Sequence, residues 1–317
     1  GLDDSYHVFY HPAGTVDGNA ILDGFIITGG NAKDDASRHR YGGGMYNDGS
    51  SPTLNNVTFV GNSAVDGGGM FNGAASAPVL TNCTFEGNEA VDGGGMYNQE
   101  SSPVLSSVVF KGNSADDGGG MHNESAAPVL STVTFVDNSA NSYGGGMCNA
   151  YSSPTLVDST FEGNDARAGG GMHNYDSSPT LINCIFSSNS AVGGGGMANS
   201  FSSPALTGCT LLDNSVGERG GGMDNSDSSP TLANCTFRGN SASRDGGGIS
   251  NLRFSSPTLT NCILAGNSAG RYGGGMYGEG GWATLTNCTF SGNEAPLGGG
   301  VFIYRSVPLP GWLVLTN

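Results

Sequence analysis

Cysteine is the residue type whose spacing in this sequence first suggests chemistry. Each of six cysteines stands two residues before a large apolar residue, and all six occupy one position of a repeat: Cys83, Cys184, Cys209, Cys235, Cys262 and Cys288. Alternation along a strand would turn both positions inward. The column therefore favours buried thiols in place of the valines of other repeats, with disulfides between neighbouring repeats as an alternative. One column provides neither tetrahedral geometry nor paired histidines, so we expect no metal centre there.

Cys148, His122 and His173 share a different position of the repeat, directly after a methionine. That position is expected to point outward, which would make Cys148 the most reactive thiol of the chain. Serine is abundant enough to suggest a Ser/His/Asp triad, but serines recur in the turns of every repeat, which is typical of structural residues. The sequence therefore predicts no catalytic residue, no cofactor-binding residue and a protein that is not an enzyme.

Acidic residues stand before successive glycine triplets, at Asp66, Asp92, Asp116 and Asp117. If the repeats stack, these carboxylates meet at one corner, where their oxygens could bind Ca²⁺ weakly. A solvated acidic corner is the alternative interpretation. No repeat carries an insertion long enough to form the walls of an active-site cleft, which argues against an enzyme. A polysaccharide-binding or polysaccharide-cleaving module is therefore kept only as the alternative function.

Aromatic residues follow the methionines of four successive repeats, at Tyr46, Phe71, Tyr97 and His122. Because these positions are expected to face outward, they predict an exposed contact stripe. Such a stripe could lie against sugar rings or against another protein. Ordinary stacking between neighbouring repeats is the alternative interpretation.

The elements that must position these residues follow from a repeat of 25 to 27 residues. Each repeat contains a Gly-Gly-Gly triplet followed by an apolar residue, which is a methionine at nine positions: Met45, Met70, Met96, Met121, Met147, Met172, Met197, Met223 and Met276. Two residues later comes an asparagine in nine successive repeats: Asn47, Asn72, Asn98, Asn123, Asn149, Asn174, Asn199, Asn225 and Asn251. A leucine column, a phenylalanine-rich column and a second asparagine column keep the same period.

Glycine triplets, Ser-Ser-Pro and Gly-Asn cut each repeat into segments too short for helices, with the period of two that is typical of strands. Three short strands per repeat predict a right-handed parallel β-helix, a three-sided β-solenoid of about eleven rungs. We expect the methionine column to form an internal ladder. We expect asparagines to bond their counterparts in neighbouring rungs at turns with left-handed φ. Residues 1–317 are predicted to be one domain, with 1–41 an irregular first rung and connector and 42–317 regular rungs that stop in mid-rung.

The amino-acid composition limits the kinds of partner that the chain is expected to bind. The chain carries 27 acidic and 11 basic residues and a formal net charge of −16, which excludes an electrostatic footprint for nucleic acid or an anionic membrane. No apolar run approaches the length of a membrane-spanning helix, so we expect no direct membrane insertion. We expect the partners to be other copies of the chain, stacked end to end through open strand edges, or other surface proteins and glycans.

Two recurring motifs carry a family resemblance. The Gly-Gly-Gly-Met motif and the Phe59-Val60-Gly61-Asn62 motif with its relatives resemble the repeats of chlamydial polymorphic outer-membrane proteins. The segment from Ile21 to Gly30 resembles a broader group of secreted right-handed β-helix proteins of environmental bacteria. The resemblance covers most of the chain and implies a bacterial extracellular or cell-surface β-helix, of the autotransporter-passenger or adhesin kind. The expected function is therefore structural or adhesive, with end-to-end assembly into a filament as one form of it.

Overall fold

The computed structural model describes residues 6–33, 37–304 and 312–316. Contacts along the chain define two compact units, Gly1–Thr160 and Phe161–Asn317. Among the described residues, the 3-10 helix Ser37–Arg40 is the only helix, and no helix has the length and apolar character needed to cross a bilayer. The organisation as a single domain stays a prediction.

The first unit consists of short parallel strands that recur once per rung in three main sheets. The Met sheet contains Phe9–His11, Met45–Asp48, Met70–Gly73, Met96–Gln99, Met121–Glu124 and Met147–Ala150. The Leu sheet contains Ile21–Asp23, Thr53–Asn55, Val79–Thr81, Val104–Ser106, Val129–Ser131 and Thr155–Val157. The Phe sheet contains Ile26–Thr28, Thr58–Val60, Thr84–Glu86, Val109–Lys111 and Thr134–Val136. Corner strands are Asn31–Ala32, Ser63–Ala64, Ser114–Asp117 and Ser139–Tyr143.

The second unit repeats the same scheme. Its Met sheet contains Met172–Tyr175, Met197–Ser200, Met223–Ser226, Ile249–Leu252, Met276–Glu279 and Val301–Tyr304. Its Leu sheet contains Thr180–Ile182, Ala205–Thr207, Thr231–Ala233, Thr258–Thr260, Trp282–Thr286 and Trp312–Thr316. Its Phe sheet contains Thr160–Glu162, Ile185–Ser187, Thr210–Leu212, Thr236–Arg238, Ile263–Ala265 and Thr289–Ser291. Its corner strands are Asp165–Ala168, Ser190–Gly193, Ser215–Arg219, Ser241–Ala242 and Ser268–Ala269.

Strands of one sheet pair in parallel with identical columns in register. Met96 pairs with Met121, and Leu206 pairs with Leu232. This pairing confirms the predicted parallel β-solenoid and its three main sheets. The fourth, corner set of strands was not predicted, because strands of two to five residues are too short to show a clear alternation of apolar and polar residues.

The apolar columns fill the interior of each unit, as the repeat predicted. Every methionine of the chain is 0% exposed. The phenylalanine rings stack face to face between rungs, with centroids 4.6 Å apart for Phe59 and Phe85 and 4.8 Å apart for Phe85 and Phe110. These spacings match the distance between neighbouring strands, about 4.8 Å. A single rung cannot bury its apolar face, so stacking of rungs supplies the hydrophobic stabilisation.

The predicted asparagine ladders are present in both units. The Asn98 amide donates to Asn123 Oδ1 at 2.8 Å, and Asn174 donates to Asn199 in the same way at 2.8 Å. The expectation of left-handed φ at the ladder asparagines is wrong. In the second ladder the preceding residue takes that conformation instead, for example Gly112 with φ +60° before Asn113. The asparagine itself must turn its amide inward, where it is fully buried and bonded to the next rung.

Candidate functional site

The predicted contact stripe of the first unit is buried. Tyr46, Phe71, Tyr97 and His122 are only 7%, 2%, 6% and 8% exposed, so the expectation of an exposed stripe is wrong. The rings pack edge to face, with centroids 5.4 Å apart for Tyr46 and Phe71. The cause is the glycine-rich segment before each methionine, which folds back over the outer face of the Met sheet. A Cβ on Gly93 would lie 2.8 Å from Tyr97 Cβ.

The same segment also buries Cys148, which was predicted to be exposed. Cys148 pairs with His122 in the Met sheet and is only 4% exposed. Burial, followed by the charges of Asp117 and Asp92, raises the pKa of the Cys148 thiol well above its usual range. A buried thiol that stays protonated is a poor nucleophile. The prediction that Cys148 is the most reactive thiol is therefore wrong.

The carboxylates of the first unit form the expected corner, with one exception. Asp66, Asp92 and Asp117 pair as successive parallel bridges. Asp116 points away and is exposed, where its Oδ1 accepts a hydrogen bond from the Asn141 amide at 2.6 Å. We call Asp66, Asp92 and Asp117 the acidic corner.

Burial dominates the electrostatics of the acidic corner. Arg40 Nε lies 2.9 Å from Asp66 Oδ2, yet burial raises the pKa of Asp66 by more than this pair lowers it. Burial also raises the pKa of Asp117. His122 Nδ1 lies 3.6 Å from Asp92 Oδ1. The corner is thus a partly desolvated acidic row with one paired arginine, and weak Ca²⁺ binding there stays a prediction.

Tyr97 lies close enough to the acidic corner for the charges of Asp92 and Asp66 to affect its pKa. Its hydroxyl donates to the Glu124 carboxylate, and burial raises the pKa of Tyr97 far above its usual value. The phenol therefore stays protonated and acts as a hydrogen-bond donor. Among the described residues, no group of three or more histidine, cysteine, aspartate or glutamate side chains is arranged to hold a metal ion.

The second unit contains a half-buried carboxylate that sequence reasoning missed. Asp224 occupies the column of Tyr97 and His122, and within the described part of the chain its Oδ1 is buried without a hydrogen-bond partner. Burial raises the pKa of Asp224 to about 6, and the neighbouring Ser250 and Arg219 offset only part of that effect. Arg219 is engaged elsewhere, because its Nε lies 3.0 Å from Asp245 Oδ2. The aspartate in an otherwise aromatic or small column was the available signal.

Asp224 predicts an unusual pH dependence of stability. Its folded pKa of about 6 exceeds the ordinary value of 3.8, so between these values the folded state binds more protons than the unfolded chain. Stability contributed at this site therefore rises as the pH falls from about 6 towards 4, and the penalty is fully present above pH 6. In urea unfolding at pH 7, 5 and 4, Asp224→Asn should not show the gain in unfolding free energy that the native protein shows as the pH falls. Asp213→Asn, an exposed carboxylate of the same unit, is the control, and equal pH slopes in all three proteins would contradict the assignment.

The cysteine column lies inside the second unit, as predicted. Cys184, Cys209, Cys235 and Cys262 are 0–1% exposed. All seven cysteines lie in the described part of the chain, and none takes part in a disulfide. Contact with the Cys184 thiol is the first cause that raises the pKa of Cys209 to about 12. The neighbouring thiols are therefore close enough to affect one another.

Four exposed aromatic side chains of the second unit lie where the Met sheet passes into the Leu sheet, two of them on turns and two at strand ends. Tyr175, Phe201, Phe254 and Trp282 are 40%, 55%, 65% and 52% exposed, and we call them, with Arg253, the turn ridge. The rings of Tyr175 and Phe201 pack edge to face with centroids 6.1 Å apart. Sequence reasoning missed the ridge, although Phe201 and Phe254, which stand directly before Ser-Ser-Pro, were a visible signal.

A shallow groove of about 420 Å³ lies beside Phe254 and Arg253, and Arg219, Leu252 and Glu279 contribute to its lining. Its charges are compensated locally. Arg253 donates to Asp227 Oδ2 at 3.0 Å, and Arg219 is paired with Asp245. An aromatic face beside paired hydrogen-bonding groups suits a polar ligand without net charge.

The fold and these surfaces place the protein among the parallel β-solenoids, which bury their repeated residues and present variable residues on turns. The family model "Right handed beta helix region" matches residues 10–166, 119–262 and 148–308. The chain therefore belongs to the right-handed β-helix family, which confirms the predicted hand of the solenoid. No curated protein and no solved structure matches the chain.

Proposed function

We propose that this protein is an extracellular adhesive β-solenoid of a bacterial cell surface and that its turn ridge binds a neutral glycan. The observation that supports the proposal is the exposure of Tyr175, Phe201, Phe254 and Trp282 between the Met and Leu sheets, in four of the five rungs of the second unit that begin at Met172, Met197, Met223, Ile249 and Met276. Flat, exposed aromatic rings provide a large apolar face for a sugar ring at low entropic cost. The resemblance of the repeats to those of chlamydial surface proteins favours the same location and role.

The ridge shares its turn conformation with the other rungs. Phe201 has φ +52° and Arg253 has φ +59°, whereas Gly280 occupies the same turn position with φ +78°. A side chain larger than glycine costs roughly 1–2 kcal/mol in this conformation. Because Phe201 stays 55% exposed, burial recovers little of that cost. The same conformation recurs at this turn position outside the ridge, for example at Glu100 with φ +51°, so it belongs to the repeat. What distinguishes the ridge is the exposed aromatic side chain.

Charge favours a neutral glycan over other partners. The chain carries a net charge of −16, which repels acidic polysaccharides, nucleic acids and anionic lipid surfaces. The two arginines at the groove are already paired with aspartates. Hydroxyl groups of an uncharged sugar can share these paired groups without separating the ions.

The variant Phe201→Gly tests the proposal. We expect about a tenfold weaker affinity for a neutral glycan, because the loss of one stacking contact is worth about 1.4 kcal/mol. Stability should be unchanged or higher, because glycine relieves the left-handed conformation. Affinity electrophoresis against neutral β-glucan, mannan and chitin fragments measures the first effect, and thermal unfolding measures the second.

The matched control is Glu100→Gly, which changes the same turn position in the first unit, where φ is +51°, outside the ridge. It should leave glycan affinity unchanged. Binding of acidic alginate in preference to the neutral glycans, or equal binding by Phe201→Gly and the native protein, would contradict the proposal. Release of reducing ends from a bound glycan would instead favour the alternative of a polysaccharide-cleaving module. End-to-end assembly into filaments stays a prediction for electron microscopy.

A further inference from the structure

The five cysteines of the second unit stack in successive rungs. In each step, the amide after one cysteine donates to the carbonyl of the cysteine in the rung before. Thr210 N donates to Cys184 O, and Thr236 N donates to Cys209 O, both at 2.9 Å. Ile263 N donates to Cys235 O, and Thr289 N donates to Cys262 O, again at 2.9 Å. Neighbouring cysteines are therefore held at the rung spacing, about 4.8 Å.

Packing does not require this run of thiols. At the same position the first unit carries Val57, Cys83, Val108, Val133 and Ser159, all buried. Valine and serine therefore satisfy the same core position, while the second unit places cysteine there in five consecutive rungs. The thiols of Cys209, Cys235 and Cys262 donate to backbone carbonyls at 3.3–3.6 Å, and a thiol is a weak donor. Such weak hydrogen bonds do not prevent these sulfur atoms from binding a metal ion.

We propose that this thiol column binds soft monovalent metal ions, of the copper(I) or silver(I) class, each held between the sulfur atoms of two neighbouring rungs. Thiolate and thiol sulfur select such ions over hard cations. A sulfur–metal bond is about 2.3 Å long for zinc, so two bonds in line separate the sulfur atoms by about 4.6 Å. This separation matches the rung spacing. The absence of tetrahedral geometry, which argues against zinc, is no obstacle to two-coordinate binding.

Charge selects a monovalent ion. When one ion binds two thiols, one sulfur loses its proton to solvent and the other remains a neutral thiol donor. The resulting group of one cation and one thiolate has no net charge. A divalent ion reaches neutrality only by displacing both thiol protons, and zinc also requires four ligands, which two stacked sulfur atoms do not supply.

The end of the column provides a route for the ion. Cys288 is only partly buried and lines a pocket of about 320 Å³ with Leu285, Asn287, Phe290 and Leu315. Local opening at this pocket exposes Cys262 to an ion directly, whether or not Cys288 binds the ion first. Transfer between neighbouring thiols needs only local opening of the rungs.

Two double variants with equal numbers of thiols test the proposal. Cys209→Val/Cys262→Val leaves Cys184, Cys235 and Cys288, so no two neighbouring rungs of the column carry thiols. Cys184→Val/Cys288→Val also removes two thiols but keeps three neighbours, Cys209, Cys235 and Cys262. The reduced full-length proteins are dialysed against silver(I) with an excess of a monothiol competitor, and bound silver is counted by native mass spectrometry.

We expect the native protein and Cys184→Val/Cys288→Val to retain at least one silver ion and to melt at higher temperature with it. Cys209→Val/Cys262→Val should retain none. Equal retention by the two double variants, no retention by the native protein, or disulfides between neighbouring cysteines in the freshly isolated protein would overturn the proposal. If a valine variant does not fold, the serine versions replace it, because Ser159 already occupies this position in the first unit.

Discussion

Met121→Asp is expected to lower the free energy of unfolding of the first unit by about 3–5 kcal/mol, the cost of an uncompensated buried charge. Met121 is 0% exposed and lies between the methionines of the adjacent rungs. An aspartate there must either bury an unpaired carboxylate or take up a proton. Urea unfolding followed by circular dichroism measures the effect.

Val104→Asp is the matched control. Val104 also lies in a strand of the first unit, but its side chain points outward and is 43% exposed. Its substitution should change the free energy of unfolding by less than about 1 kcal/mol. Similar losses in the two variants would show that the methionine column does not face the interior.

Gly95→Ala is the second substitution with a large expected effect. A Cβ on Gly95 would lie 2.5 Å from the carbonyl oxygen of Gly120 and 2.8 Å from Phe110 Cδ1. Neither neighbour can withdraw, because one is backbone of the next rung and the other is a fully buried ring. We expect a loss of about 3 kcal/mol, at the upper end of the range for overpacked cores, measured as a shift of the urea midpoint.

Gly112→Ala separates this close approach from backbone conformation. Gly112 has φ +60°, and a Cβ there would meet nothing within 4 Å. Alanine at this site should therefore cost only the conformational term, roughly 1–2 kcal/mol. If Gly95→Ala were the milder variant, the close packing of rungs at the glycine corner would be contradicted.

These two pairs illustrate how much of the fold was predictable. Met121 and the ladder residue Asn123 recur with one period, and in-register stacking of identical residues is the arrangement that buries such columns. The inward direction then follows from the alternation of side chains along a strand. Local rules thus predicted the sheets, the core and the asparagine ladders, and the family match supports the predicted hand.

Exposure on the outer face was not predictable in the same way. Alternation correctly places Tyr97, His122 and Cys148 outside the lumen, but it contains no information about what covers them. The glycine corner folds over this face, with Gly93 above Tyr97 and Gly118 above His122. The expected contact stripe and the expected reactive thiol are buried for this reason.

The sequence by itself determined the repeat, which side chains of each strand point inward or outward, and which residues form the core. These features depend on the period of the repeat and on the alternation of side chains along a strand. Only the tertiary structure decided which outer residues meet solvent and how their ionisation shifts. Phe201 is exposed on a turn while Tyr97 is covered, and burial raises the pKa of Asp224. Exposure and pKa depend on how the corner and turn segments fold over the outer faces of the sheets, and the alternation of side chains along a strand does not encode that path.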